Sequence, residues 1–266
     1  MTKSHKNNLF LIDIKVQNTD SRKLAATYLD LILERRLIEM KNSLKRALPA
    51  AIALSLGLTA MPAAAYEAGD WIVRARLITV NPDESSSAIA TNGADVAGSG
   101  VSVDNDLVPE LDFTYMMSPH WGLELILGTS EHDINATGTL KASLGQIGEA
   151  KVLPPTLTLQ YHFAPSSNIR PYAGVGINYT HFYSENATGA IEGSANTDLD
   201  LDDSWGLAAQ AGVDIDINKE WFINFDVKYI DISTKATFKN TATLGTVTAD
   251  VDIDPWVFGI GIGTTF

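Results

Sequence analysis

The sequence predicts an all-β chain, an eight-stranded antiparallel transmembrane β-barrel with short periplasmic turns and long extracellular loops. Three observations carry that expectation: period-two alternation repeated eight times after Tyr66, connections that alternate between long and short, and five tryptophans that fall at segment ends.

The first 65 residues stand apart from the rest. Met40 is followed by Lys41, Lys45 and Arg46, an apolar run over 47–58, and Ala63-Ala64-Ala65. That order of charge, apolar stretch and small residues reads as a signal peptide over 40–65, cleaved before Tyr66. The run falls short of the roughly 20 residues a spanning helix needs, and Pro49 and Pro62 argue further against an anchor. A secretory signal belongs at an N-terminus, so residues 1–39 are expected to be an upstream extension from a misassigned start, with Met40 the initiator. Residues 66–266 are left as the barrel.

Charge separates the two parts as well. The first 65 residues hold 10 of the 19 Lys and Arg and 5 of the 32 Asp and Glu, which leaves 9 basic and 27 acidic residues after them, a net of −18. Such a surface repels phosphate, and no nucleic-acid partner is expected. The absence of cysteine in an exported chain suits a closed, fully hydrogen-bonded sheet better than a disulfide scaffold.

The eight segments follow in order. In the first, Trp71, Val73, Ala75 and Leu77 alternate with Ile72, Arg74, Arg76 and Ile78. In the second, Leu107, Leu111, Phe113 and Tyr115 alternate with Val108, Glu110, Asp112 and Thr114. Trp121, Leu123, Leu125 and Leu127 then alternate with Gly122, Glu124, Ile126 and Gly128. The fourth is read as one strand over 153–163, and the fifth runs over 173–179. The sixth is the most regular: Trp205, Leu207, Ala209, Ala211, Val213 and Ile215 alternate with Gly206, Ala208, Gln210, Gly212, Asp214 and Asp216. In the seventh, Trp221, Ile223, Phe225, Val227 and Tyr229 face away from Asn224, Asp226, Lys228 and Ile230. The last alternates Trp256, Phe258, Ile260 and Ile262 with Val257, Gly259, Gly261 and Gly263. Strand side chains point to opposite faces in turn, so each segment has one apolar face and one small or polar face. The second face supplies the candidate lumen lining: Ile72, Arg74, Arg76, Ile78, Val108, Glu110, Asp112, Glu124, Ile126, Asp226, Lys228, Ile230 and Val257.

Alternation alone fits a sheet in water or in lipid. Long connections over 81–104, 135–150, 184–203 and about 231–249 alternate with short ones over 118–120, 164–169 and 218–220, the rhythm of bacterial barrels. With both termini on the short-turn side, Trp71, Trp121, Trp221 and Phe266 fall at the periplasmic rim. Tyr179, Trp205, Tyr229 and Trp256 fall at the outer rim. An amphipathic indole belongs between acyl tails and headgroups, and this placement favours lipid. The terminal aromatic Phe266 resembles the C-terminal signal read by the barrel-assembly machinery.

Several motifs in sequence, Gly69-Asp70-Trp71-Ile72-Val73-Arg74-Ala75, Leu153-Pro154-Pro155-Thr156-Leu157, Arg170-Pro171-Tyr172-Ala173-Gly174, Ser204-Trp205-Gly206-Leu207 and Asp252-Ile253-Asp254-Pro255-Trp256, resemble the OmpW family of small outer-membrane proteins over about 69–266. The resemblance implies a narrow, largely apolar, porin-like lumen associated with uptake of small hydrophobic molecules, as in the related alkane-uptake protein AlkL. It implies as partners outer-membrane lipid, lipopolysaccharide and a small hydrophobic ligand, and a multi-pass location in the bacterial outer membrane. This chain departs from an apolar channel in its inward Arg74, Arg76, Glu110, Asp112 and Glu124. Cancelling across strands, those charges would plug the periplasmic half and leave the outer half as a pocket, with passage through the floor or sideways through the wall.

No enzyme, cofactor or metal site is expected. The five histidines, His5, His120, His132, His162 and His181, show no metal-ligand spacing, and no nucleophile elbow or phosphate loop occurs. His132 beside Asp133 lacks a nucleophile. Asp198, Asp200, Asp202 and Asp203 have the acidic spacing of a calcium loop without its glycine, and read as a solvated loop or as a site of loose divalent-ion bridging to lipopolysaccharide phosphates. Eight strands leave room for side chains or one small ligand but no wide channel. The expected function is a narrow channel or pocket for uptake of small hydrophobic molecules. The alternative is a structural or ligand-binding protein that acts through its extracellular loops, without transport.

Overall fold

The computed structural model describes residues 65–192 and 197–266. The expected extension over 1–39, and the signal peptide except Ala65, lie outside those residues. Eight strands close into a barrel: β1 (Trp71–Asn81), β2 (Asp106–Met116), β3 (Trp121–Gly128), β4 (Thr156–His162), β5 (Ile169–Ala187), β6 (Ser204–Asp216), β7 (Trp221–Ile230) and β8 (Trp256–Thr265). Each pairs antiparallel with its chain neighbours, and β8 returns to β1 through Arg74↔Gly263 and Ile78↔Gly259. Closure leaves none of the eight strands as a free edge, the condition for backbone to cross a bilayer.

One side of the wall is apolar and bare. Leu77, Leu111, Leu125, Leu159, Val175, Leu207, Phe225 and Phe258 are all exposed along with Trp71, Trp121, Trp205, Trp221 and Trp256. A continuous band of this kind is not tolerated in water, and acyl chains are the solvent that covers it. The periplasmic turns are tight: at the β6–β7 turn, Asn218 Oδ1 accepts the N–H groups of Glu220 and Trp221 at 2.8 and 2.9 Å.

Closure forces β8 between the large inward side chains of β1 and β7. A Cβ on Gly261 would sit 2.2 Å from the Ala75 carbonyl oxygen, and one on Gly263 would sit 2.3 Å from the Phe222 ring. Glycine at these two positions is what lets the strands approach.

Two differences from the sequence reading concern the outer half. The segment read as one strand over 153–163 is two, Gln146–Leu153 and Thr156–His162, because Pro154 and Pro155 donate no ladder hydrogen bonds. The long connections, moreover, are largely strand. Ser99–Val103, Ser130–Gly138 and Gln146–Leu153 form a sheet that joins the upper part of β5. Asp198–Leu201, Ser233–Lys239 and Val247–Asp252 form a second sheet with three two-residue strands. Here the alternation has the opposite sense: Ala236 and Phe238 are buried while Ser233, Lys235 and Lys239 are exposed. Above the lipid the outer face meets water, and apolar side chains turn inward.

Candidate binding pocket and its charged floor

The barrel interior is layered. Nearest the periplasm, Tyr66, Ile72, Met116 and Phe222 form a small apolar cluster. Tyr66 lies just before β1, and its N–H donates to the Pro165 carbonyl at 3.1 Å. Its ring lies 4.4 Å beneath the Arg170 guanidinium, and Arg170 pairs with Asp216.

Above that cluster the inward charges of five strands meet. Arg74 clasps Asp214 through Nε at 3.1 Å and a terminal nitrogen at 2.7 Å, the forked geometry in which a guanidinium and a carboxylate match. Its other terminal nitrogen donates to Thr114 at 2.9 Å and to Glu124 at 3.3 Å. Asp214 also accepts from the Tyr66 hydroxyl and Asn224, each at 2.8 Å. Arg76 reaches Glu110 at 3.0 Å, Asp112 at 3.2 Å, Asp226 at 3.3 Å and Glu124 at 3.4 Å. Lys228 bridges Glu110 at 2.7 Å and Asp226 at 2.8 Å. The second oxygen of Glu124 accepts from Thr158, Gln160 and Gln210. Charges removed from water persist when paired, and each charged side chain of this network faces an opposite charge across the full width of the barrel, although Asp112 meets Arg76 as an ion pair alone and its buried oxygens accept no hydrogen bond.

On the outer side of the network the lining turns apolar and encloses a cavity of about 90 Å³. Ile78, Val108, Ile126, Ile230 and Val257 form its lower wall. Val101, Val152, Phe182, Leu201 and Ile232 of the outer sheets and upper strands carry it upward. The wall is interrupted at the cavity's level. Paired positions of β3 and β4 stop at Ile126↔Thr156 and resume at Ser130↔Val152 in the outer sheet, with Gly128 and Pro154 lining the cavity between them.

The eight-stranded wall recurs in known outer-membrane proteins. The profile of the OmpW family matches residues 67–266. The chain belongs to the OmpW family. It is 39% identical to outer membrane protein W of Vibrio cholerae serotype O1, over 81% of this chain and 97% of that protein. The crystal structure of OprG from Pseudomonas aeruginosa superposes with a TM-score of 0.70 at 38% identity, covering 76% of this chain and 98% of that one. A solid-state NMR structure of AlkL in lipid bilayers gives a TM-score of 0.58 at 25% identity, covering 78% and 95% of the two chains. Members of the OmpW family are outer-membrane proteins, and this chain is a multi-pass outer-membrane β-barrel.

The thirteen candidate lumen residues fall into three layers. Ile72 sits in the periplasmic cluster, apart from the other apolar candidates. Arg74, Arg76, Glu110, Asp112, Glu124, Asp226 and Lys228 are in the charged network, and Ile78, Val108, Ile126, Ile230 and Val257 line the cavity. Of the aromatic girdle candidates, Trp71, Trp121, Trp205, Trp221, Trp256 and Phe266 are exposed, and Tyr179 and Tyr229 half-buried. Neighbouring strands bring rings from each rim into contact, Trp71 with Tyr115, Tyr179 with Trp205 and Tyr229 with Trp256. Sequence reasoning missed Asp214, Tyr172, Gln160 and Gln210 as network members, although all four lie on the inward phase of their strands. Tyr66 gave no such signal, since it precedes the first alternating segment.

Two surface features resolve differently. His132 and Asp133 are on opposite faces of one strand, His132 bonded to the Asp104 carbonyl and Ser130, Asp133 to Gln146. The acidic run does not converge on a point: Asp198 and Asp200 share the exposed face of a strand, and Asp200 faces Lys239 at 3.4 Å. Asp203 accepts hydrogen bonds from the Tyr179 hydroxyl, His181 and the Phe182 N–H, and the Tyr179 hydroxyl above all holds its carboxyl below the usual range. Among the described residues no three His, Asp or Glu side chains are grouped to hold a metal.

Proposed function

We propose that this barrel takes up small hydrophobic molecules from the cell exterior and releases them sideways into the membrane, without catalysis. The observation that carries the reading is the apolar cavity set directly on a floor of ion pairs. An apolar solute gains free energy by leaving water for such a chamber and loses it on entering a layer of desolvated charge, so the floor is a barrier. The interrupted pairing beside Gly128 and Pro154 supplies a route at the same level, and Leu127 and Leu153 on its outer side lead to acyl chains. The resemblance to the alkane-uptake protein AlkL supports the same substrate class.

The test compares entry of a hydrophobic and a polar solute into cells with and without the protein, then with Val108→Asp and Ile126→Asp. Hydrophobic entry is expected to fall toward the level of cells lacking the protein in both variants, with polar entry unchanged. The chain has no cysteine, so Gly128→Cys can be labelled uniquely with a bulky maleimide, which is expected to block uptake at the wall. Equal hydrophobic entry in all cases sinks the transport reading in favour of a loop-mediated binding role. Block by the Asp variants with no effect of the label moves the exit away from Gly128.

A further inference from the structure

Glu110 occupies the boundary between the charged floor and the cavity, and its two carboxylate oxygens are in different situations. Oε1 takes the Arg76 guanidinium at 3.0 Å and the Lys228 ammonium at 2.7 Å. Among the described residues Oε2 accepts no hydrogen bond, although Glu110 is only 5% exposed, and Glu110 is the one carboxylate among them that lines the cavity. Both oxygens of Asp112 also accept no hydrogen bond, but they are buried and Asp112 does not line the cavity, so a ligand there does not meet them.

The other polar side chains around the cavity are engaged with protein. His132 Nδ1 donates to the Asp104 carbonyl at 2.7 Å, and its Nε2 shares a 2.8 Å contact with Ser130. Thr156 donates to the Pro154 carbonyl at 3.0 Å and Thr234 to the Asp202 carbonyl at 2.7 Å, and the Thr129 hydroxyl, at the upper rim, shares a 2.7 Å contact with the Tyr183 hydroxyl. The polar capacity left to a ligand at the cavity floor is therefore an acceptor, and it is anionic.

Resting on the reading of this cavity as the hydrophobic-binding site, we propose that it selects apolar compounds carrying one hydrogen-bond donor, such as phenols or alcohols, and that Glu110 makes the selection. A bare hydrocarbon seated on Oε2 leaves a desolvated carboxylate oxygen without a donor. A hydroxyl pointed at the floor supplies one, while the rest of the molecule stays among Ile78, Val108, Ile126 and Val257. Sites built to satisfy a ligand hydroxyl discriminate strongly against the analogue that lacks it. A carbonyl compound of the same size brings a second acceptor and is disfavoured.

Toluene, phenol and benzaldehyde share one ring and differ in that single feature. Their binding to the full barrel in lipid nanodiscs can be followed through the 13C-methyl NMR signals of the isoleucines and valines around the cavity. In Glu110→Gln the amide oxygen is held toward Arg76 and Lys228, which turns the amide N–H groups to the cavity and reverses its polarity. The ratio of phenol to toluene affinity is expected to fall by about tenfold from wild type to Glu110→Gln, and the ratio of benzaldehyde to toluene to rise. Taking ratios within each protein cancels the different water solubilities of the three compounds. Equal changes for all three ligands overturn the selection by Glu110 while leaving the cavity as a hydrophobic site. No binding of any of them to the wild-type barrel overturns both.

If the variant does not fold, the wild-type barrel carries the same test. Methylation of phenol to anisole removes the donor and is expected to weaken binding, whereas toluene to ethylbenzene adds the same carbon without that loss. Matching responses of the two pairs overturn the inference.

Discussion

Arg74 tests whether the floor is a dry ion-pair network. Its side chain is fully buried and makes four hydrogen bonds: two to Asp214, one to Thr114 and one to Glu124. Arg74→Met keeps most of the volume beside Phe222 and Tyr172 and removes the charge. Glu124 retains Arg76 and three neutral donors, so its loss is small. Asp214 retains only the Tyr66 hydroxyl and Asn224. Removing one partner of a buried pair leaves an uncompensated charge, and the expected destabilisation is about 3–5 kcal/mol. Adding Asp214→Asn removes the orphaned charge and is expected to restore about 2 kcal/mol, so the double variant is more stable than Arg74→Met alone. Urea unfolding of the barrel in lipid vesicles reads both, with the gel shift on heating as the check of folding. A cost below about 1 kcal/mol for Arg74→Met, or a double variant less stable than the single, would refute the reasoning and mean that water fills the floor.

Three further outcomes follow from the wall and its base. Gly261→Ala drives a methyl group into the Ala75 carbonyl and is expected to destabilise by about 1–3 kcal/mol, whereas Gly259→Ala meets only side-chain atoms of Ile78 and Arg76 at 3.2 and 3.3 Å and is expected to do less harm; equal unfolding midpoints would remove close strand approach as the reason for the glycines. Ile260 lies midway along β8 between Trp256 and Phe266, so Ile260→Arg is expected to destabilise by about 2–4 kcal/mol, while Leu207→Arg, two residues from Trp205, is expected to lose about 0–1 kcal/mol. The reverse order in urea unfolding would displace the membrane from the position the tryptophans imply. Tyr66 is expected to be the first residue of the mature protein by mass spectrometry, and Tyr66→Phe to lose about 1–2 kcal/mol with its hydrogen bond to Asp214; a mature chain that retains residues 1–39 contradicts the first expectation, and an unchanged midpoint the second.

The wall of this barrel is legible in the sequence because strand period two assigns each side chain to a face without any knowledge of its neighbours. Trp121–Gly128 and Trp221–Ile230 begin and end where the alternation does, and the apolar phase of all eight segments faces outward. The outer sheets were harder to read, since Ser233–Lys239 and Val247–Asp252 bury their apolar phase and expose polar residues, as strands in water do. A pattern search tuned to lipid passes over them. The break at Pro154 and Pro155 was present in the sequence, but Leu153 and Pro155 continue the odd-numbered apolar phase of Leu157 and Leu159 and conceal it.

What the sequence by itself determined is which side chains point inward: Arg74, Arg76, Glu110, Glu124, Asp214, Asp226 and Lys228 all sit on the non-lipid phase of their strands. Which of them meet was set by the tertiary structure alone. Arg74 finds its forked partner in Asp214, 140 residues away, and Lys228 reaches Glu110 across 118 residues. Periodicity along one strand carries no information about the height at which another strand passes it. That height is set by the stagger of eight strands on closure, and so the pairing of charges, the seal of the floor and the free oxygen of Glu110 exist only once the barrel is shut.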